Sequence, residues 1–329
     1  MARPLQRTRA GAGTTKAPTT LGALVRLGEH RFNAAKLAYG HGTTNARDEA
    51  AYLALHALKL PLDQLPVRRP VTLAESARVL LLFEQRVRRR VPAAYLTQEA
   101  WLGPHRFYTD ERVIVPRSYI AELLLNDATP CWPVKSRVRH ALDLCTGSGC
   151  LAILAARRFK QARVDATDIS SDALDVARIN VRRYRLTKRI HPISSDYFQG
   201  LGKRRYDLII SNPPYVRAPI MRKLPLEYRR EPALALAGGG DGLDAVRIIL
   251  TQAAVHLNAN GLLVVECGHA RERVERAWPR LPFFWLETSG GDDCVFVLSR
   301  GDLTRPGALA GRDNQSTRRR TSSGSSSPT

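Results

Sequence analysis

Between residues 138 and 299 short apolar runs alternate with helical ones, and no other feature narrows the possible folds so far. The apolar runs fall near 138–144, 163–168, 189–194, 206–211 and 261–267, and two more, near 283–288 and 293–299, follow the last helical stretch. Such alternation predicts a doubly wound α/β sheet of seven strands, mainly parallel, with helices on both faces and ligands at the carboxyl ends of the strands. The last two runs leave little room between them for a helix, so the final strand is expected to be antiparallel.

The first strand runs into a turn with two glycines, Asp143-Leu144-Cys145-Thr146-Gly147-Ser148-Gly149-Cys150, and an apolar helix follows. Glycine has no Cβ, so such a turn brings backbone and a helix N-terminus close to a small ligand. The third glycine of a dinucleotide fingerprint is missing, as is the Gly-Lys-Ser/Thr of a phosphate loop, which disfavours a nicotinamide cofactor. The next strand ends at Asp168, where an acid can accept both hydroxyls of a ribose; an alternative is that Asp168 caps the helix expected over 170–184. Asp196 and Tyr197 follow the third strand, a carboxylate and a ring suited to an adenine amine and its face.

The fourth strand ends in Asn212-Pro213-Pro214-Tyr215. Asn-Pro and Pro-Pro mark turns in many contexts. Here the turn also sets an Asn carboxamide oxygen and a proline-flanked carbonyl beside an aromatic ring, an arrangement suited to a planar NH2 group. An amide or aromatic NH2 is a weak nucleophile, so positioning dominates, and acceptors aimed at its protons stabilise the positive charge that grows on nitrogen.

The order of glycine turn, ribose acid, Asp196-Tyr197 and Asn-Pro-Pro-Tyr resembles the Rossmann-like class I S-adenosylmethionine-dependent methyltransferases that modify planar NH2 groups. Two branches share the tetrapeptide: adenine amino-methyltransferases of nucleic acid and protein-glutamine methyltransferases. Val115-Pro116-Arg117-Ser118, the turn at 143–150, Asp168-Ile169-Ser170 and Glu231-Pro232-Ala233-Leu234-Ala235-Leu236-Ala237-Gly238-Gly239 resemble the glutamine branch. Within it, Cys-Thr-Gly-Ser-Gly-Cys and the segment Pro92-Ala93-Ala94-Tyr95-Leu96-Thr97-Gln98-Glu99-Ala100-Trp101 are similar to the enzymes acting on large-subunit ribosomal protein three. The resemblance covers about residues 20–299. It implies S-adenosylmethionine as cofactor, held by Pro116, Arg117, Asp143, Thr146, Gly147, Ser148, Gly149, Asp168, Ile169, Asp196, Tyr197 and Asn212. It further implies Asn212, Pro213 and Tyr215 as catalytic residues, with Pro214 and Glu231 also facing the substrate. Glu231 is equally placed to pair with nearby arginines. The alternatives are methylation of a glutamine in a peptide-chain release factor, methylation of adenine in nucleic acid, or a non-catalytic ribosome assembly factor.

Beyond this, 51 basic residues stand against 30 acidic ones, a formal charge of +21. Residues 1–20 contribute four of these charges and 301–329 three, in stretches rich in small polar residues and expected to be disordered. The remaining +14 suits a nucleic-acid-associated substrate, such as a ribosomal protein met with ribosomal RNA. No uncharged apolar stretch reaches 18 residues and the start lacks a signal-peptide core, so a cytoplasmic chain with no membrane span is expected. Cys131, Cys145, Cys150, Cys267 and Cys294 form no Cys-x-x-Cys pair, and reduced thiols without a metal site are expected.

The expected organisation is a basic tail over 1–19, a helical substrate-recognition domain over 20–91, a hairpin linker over 92–115, the methyltransferase domain over 116–300 and a second tail over 301–329. Helical spacing is clear in Leu21-Leu24-Val25, in Ala50-Leu53-Ala54-Ala57-Leu58 and over 72–89, where Arg86-Val87-Arg88-Arg89-Arg90 supplies cations suited to a helix C-terminus. The long irregular stretch from Arg217 to Gly240 is expected to wall the substrate site.

Overall fold

The computed structural model describes residues 20–126 and 138–310; the expected tail over 1–19, the expected C-terminal tail beyond 310, and Cys131 lie outside them. The described residues form two compact units: one made of 20–37 and 43–89, the other of 38–42, 90–126 and 138–310.

The first unit holds three helices, α1 (Leu21–Ala34), α2 (Ala46–Ala57) and α3 (Leu73–Arg89). Side-chain oxygens of Thr20 and Asn45 accept from backbone N–H groups three residues on and start α1 and α2. Leu21, Leu24, Leu53, Ala54, Val79 and Phe83 are fully buried, and the Phe32 and Phe83 rings meet edge to face at 5.2 Å. Arg86 departs from the surface cation expected of a helix terminus. It is fully buried and its Nε donates to Glu49 at 2.6 Å, because a charge inside a core must be paired.

The second unit starts with α4 (Ala93–Thr97), a two-stranded hairpin of β1 (Ala100–Leu102) and β2 (His105–Phe107), and α5 (Tyr119–Leu125). It continues through β3 (His140–Leu144), α6 (Cys150–Arg158), β4 (Arg163–Asp168), α7 (Ser171–Arg183), β5 (Ile190–Ser194) and β6 (Tyr206–Ser211). There follow α8 (Ala218–Met221), α9 (Asp244–His256), β7 (Leu257–Glu266), α10 (Arg271–Ala277), β8 (Phe284–Thr288), β9 (Gly291–Ser299) and α11 (Arg300–Thr304). The large sheet has seven strands in the order β5-β4-β3-β6-β7-β9-β8, all parallel except β9, which runs against both its neighbours.

The alternation of apolar residues explains the two layers of helices. Ala141, Ile210 and Val264 enter one core with α5 and α6, while Leu142, Ile209 and Val265 enter the other with α9. Pro192, which cannot donate to a ladder, falls in β5 at the sheet edge. Two boundaries differ from the sequence reading. Strand β7 begins at Leu257, pairing with Tyr206 before a register shift. Residues Arg300–Thr304, where the expected tail begins, form α11: Ser299 and Asp302 make a reciprocal capping box, and Leu303 is buried. Among the described residues no helix is long and apolar enough to cross a membrane.

Candidate active site

Register places the site. Leu144 lies beside Thr167 and Ser211, Asp168 beside Ser194, and Ser211 beside Val265, so Cys145, Asp168, Ser195, Asn212 and Glu266 all leave the sheet at one edge. The strand order turns around at β3 and β6, where a doubly wound sheet opens a crevice for ligands.

Two cavities lie there. The smaller, about 200 Å³, is lined by Gly147, Asp168, Ile169, Asp196, Tyr197 and Pro214 among others. The larger, about 400 Å³, is lined by Arg117, Pro213, Tyr215, Arg217, Tyr228 and His269 among others. Asn212, Ile114 and Ala235 line both.

The glycine turn reaches the smaller cavity at Cys145 and Gly147. Asp143 is fully buried and lines neither cavity. Its Oδ2 accepts from Thr146 Oγ1 at 2.5 Å and from the Ala152 N–H at 2.9 Å, tying the turn to α6. Burial pushes this carboxyl up to about 7, against those hydrogen bonds. Thr146 and Ser148 are buried, and Gly149 starts α6 at φ 78° with a Cβ position only 3.1 Å from Ala177. These three shape the turn and do not face either cavity; Gly147, at φ 54° with nothing within 4 Å of its Cβ position, opens onto the smaller one, which Cys145 also lines. Asp168 accepts from the N–H groups of Gly147 at 2.9 Å and Ser170 at 3.0 Å, and burial raises its carboxyl. The helix cap proposed for it belongs to Ser170, whose Oγ accepts from Ala173 N–H at 3.2 Å. Asp168 keeps lone pairs for a ligand, since a carboxylate has about four acceptor sites.

Asn212 has one hydrogen bond, from Nδ2 to the Arg117 carbonyl at 3.2 Å. A carbonyl only accepts, so the amide nitrogen must face it, and Oδ1 has no partner among the described residues. After the tetrapeptide the chain is pinned by Val216 N–H to Leu236 and Gly238 N–H to Val216. A Cβ on Gly238 would stand 2.6 Å from Tyr215 Cα, so only glycine lets the two strands of backbone pass. The Tyr215 hydroxyl donates to Glu266 Oε1 at 3.2 Å. Burial and that carboxylate push the phenol well above its ordinary range.

Several expectations change here. Pro116 is buried and lines neither cavity. Arg117 lines the larger cavity and not the cofactor side. Its guanidinium makes two 2.6 Å bonds to Glu231, which also accepts from Val115 N–H at 2.9 Å and lies 3.6 Å from His41 Nε2. Of the two roles open to Glu231 the structure shows the arginine partner: its carboxylate is wholly buried and faces neither cavity. Burial would raise this carboxyl, but Arg117 and His41 bring it down to about 2. Glu227 pairs with Arg90 at 3.0 Å, and the Tyr228 hydroxyl donates to the Tyr39 carbonyl at 3.1 Å, so the stretch from 217 to 240 forms a braced wall of the larger cavity.

Glu266 was missed. It is buried at the end of β7, and its Oε2 accepts from Ser118 Oγ at 2.6 Å and Tyr119 N–H at 2.9 Å, while Oε1 meets Tyr215. Burial raises its carboxyl against those bonds. One anion thus joins the start of α5, the tetrapeptide and the sheet. A lone acid closing an apolar strand was the available signal.

The family model for the methyltransferase small domain matches residues 122–223, from α5 through the tetrapeptide. The chain is 54% identical over 287 residues to the ribosomal protein uL3 glutamine methyltransferase of Neisseria meningitidis serogroup B, covering 87% of this chain and 94% of that one. It is 52% identical to the protein of the same name from Bordetella pertussis, covering 86% and 96%. Among solved structures, a methyltransferase from Pyrococcus furiosus matches with a TM-score of 0.43 and 18% identity over 60% of this chain and 90% of that one.

Proposed function

Because the chain belongs to the family of ribosomal protein uL3 glutamine methyltransferases, we propose that it methylates the side-chain amide nitrogen of a glutamine in ribosomal protein uL3. S-adenosylmethionine is the cofactor, and the smaller cavity suits it. Asp168 and Asp196 offer acceptors for hydroxyl and amine groups, Tyr197 a ring, Ile169 and Leu234 apolar walls, and Gly147 an unobstructed backbone. Bound there, the cofactor supplies an electrophilic methyl group on a sulfonium.

The observation that carries the reading is Asn212. It lines both cavities, and its Nδ2 is spent on the Arg117 carbonyl, so Oδ1 is the acceptor left for a substrate N–H. With the Pro213 carbonyl it holds the two amide protons, turning the nitrogen toward the cofactor side. As the N–C bond forms, those acceptors stabilise the charge that develops on nitrogen; one proton then leaves to water and the neutral methylamide remains. No strong base is needed. Pro214 lines the smaller cavity and Pro213 the larger, so the rigid pair divides them. Tyr215, tethered to Glu266, supplies the ring beside the amide. The helical unit carries recognition of uL3 beyond the glutamine. The net positive charge supports an encounter with uL3 in the company of ribosomal RNA.

The test is transfer of labelled methyl from S-adenosylmethionine into an unmethylated ribosomal extract. Label in uL3, resistant to nuclease and mapped to a glutamine amide, is expected. Asn212→Ala should lower the rate about 100-fold or more while cofactor binding and melting stay near wild type. Label in nucleic acid, or near-normal turnover by the variant, would overturn the reading.

A further inference from the structure

The sequence reading expected no metal site, yet the turn after β7 and the start of β9 bring together three ligand types. His269 Nδ1 stands 2.9 and 3.0 Å from the two Asp293 carboxylate oxygens and 3.5 Å from Cys294 Sγ, and Sγ is 3.4 Å from Asp293 Oδ1. All three donor atoms fall within 4.8 Å of one another. Tetrahedral zinc with its usual bond lengths has ligand-to-ligand edges of about 3.3–3.6 Å. The two edges to sulfur already match, and the nitrogen–oxygen edge needs to open by a few tenths of an ångström.

We propose that His269, Asp293 and Cys294 form a binding site for a thiophilic divalent cation of the zinc type, with a fourth position open to water. The donor set supports this choice: thiolate and imidazole select zinc over magnesium or calcium. Of the neighbouring cations, Arg271 is matched by Asp292 at 2.9 Å and Glu275 at 3.1 Å, and Arg273 donates to the His269 carbonyl at 3.5 Å. Asp293 is about one-third exposed and His269 about two-thirds, so an ion can enter from solvent. Binding displaces the Cys294 thiol proton to solvent, forms the metal–sulfur bond and leaves the imidazole proton on Nε2. His269 also lines the larger cavity, so the ion ties one of its walls to β9.

The test titrates the purified, reduced full chain with Co²⁺, then displaces it with Zn²⁺. One equivalent should produce a thiolate-to-cobalt charge-transfer band with tetrahedral ligand-field bands, and zinc should erase both with release of about one proton per site. Cys294→Ser should lose the charge-transfer band, and Asp293→Asn should weaken zinc about tenfold or more. Asp293 lies on the surface, so that variant keeps the proposal testable should Cys294→Ser fold poorly. A band unchanged in Cys294→Ser, or zinc affinity unchanged in Asp293→Asn, would overturn the site. Resting on the methyltransferase reading, zinc should also slow methyl transfer by the wild type and not by Asp293→Asn. The cobalt arm stands without that reading, so the two failures are distinguishable.

Discussion

The cavities that meet at Asn212 are assembled in different ways. The smaller takes its acids and its glycine from turns that directly leave β3, β4 and β5. The larger is held by side chains far apart in the chain: Arg117 with Glu231, Ser118 and Tyr215 with Glu266, Tyr228 with the Tyr39 carbonyl. A pocket made of strand ends inherits its rigidity from the sheet. One made of distant ion pairs depends on buried charges that must all be matched.

Breaking the Arg117–Glu231 pair should show this most strongly. Arg117→Ala leaves a buried carboxylate with Val115 N–H and His41 as its remaining partners among the described residues, and should cost about 3–5 kcal/mol in denaturant unfolding. In the surviving folded enzyme the KM for uL3 should rise, with cofactor affinity within a factor of two. If both affinities fall together, the cavities are one mechanical unit and the contrast fails. Glu266→Ala strands the donors at Ser118, Tyr119 and Tyr215 and should cost about 2–3 kcal/mol. Here kcat should drop more than cofactor affinity, and Glu266→Gln, which keeps one acceptor, should recover part of the loss.

The smaller cavity should answer to different changes. Asp168→Ala should weaken S-adenosylmethionine about tenfold, near 1.4 kcal/mol, without moving the KM for uL3, as read by calorimetry and initial rates. The subtlest effect concerns Asp143. The folded protein keeps its proton up to about pH 7, whereas the unfolded chain releases it near pH 4. The native state therefore binds more protons across that window, and the Asp143 contribution to stability falls as pH rises from about 4 to 7, then levels off. Asp143→Asn, retaining an acceptor for Thr146 and Ala152, should flatten that portion of the stability–pH curve by a few kcal/mol. An unchanged slope would place the proton elsewhere.

The same contrast explains what could be read from the chain. Gly147, Asp168, Asp196, Tyr197 and Asn212 each sit where a strand stops, so local pattern located the sheet and the residues at its carboxyl edge. Thr146, Ser148 and Gly149 belong to the same motif, but their inward or structural roles depend on which way a turn rolls, which spacing does not encode. Glu231 and Arg117 lie 114 residues apart and Glu266 is 148 from Ser118, so nothing in the sequence reports that they meet. Arg86 gave a misleading signal, since a cation near a helix end is ordinarily solvated, whereas this one is buried against Glu49 on another helix. Cys294 and His269 are separated by 25 residues without any metal-binding spacing.

Residues 38–42 belong with the catalytic unit although helices of the other unit flank them on both sides. A fragment begun at residue 90 would therefore omit the Tyr39 carbonyl that anchors Tyr228 and the His41 ring beside Glu231. Exchanging the helical unit between relatives means matching three joints in the chain, at 37/38, 42/43 and 89/90, where a domain that ends once would need one. The pentapeptide is a brace for the wall of the larger cavity, set in the sequence between helices of the other unit.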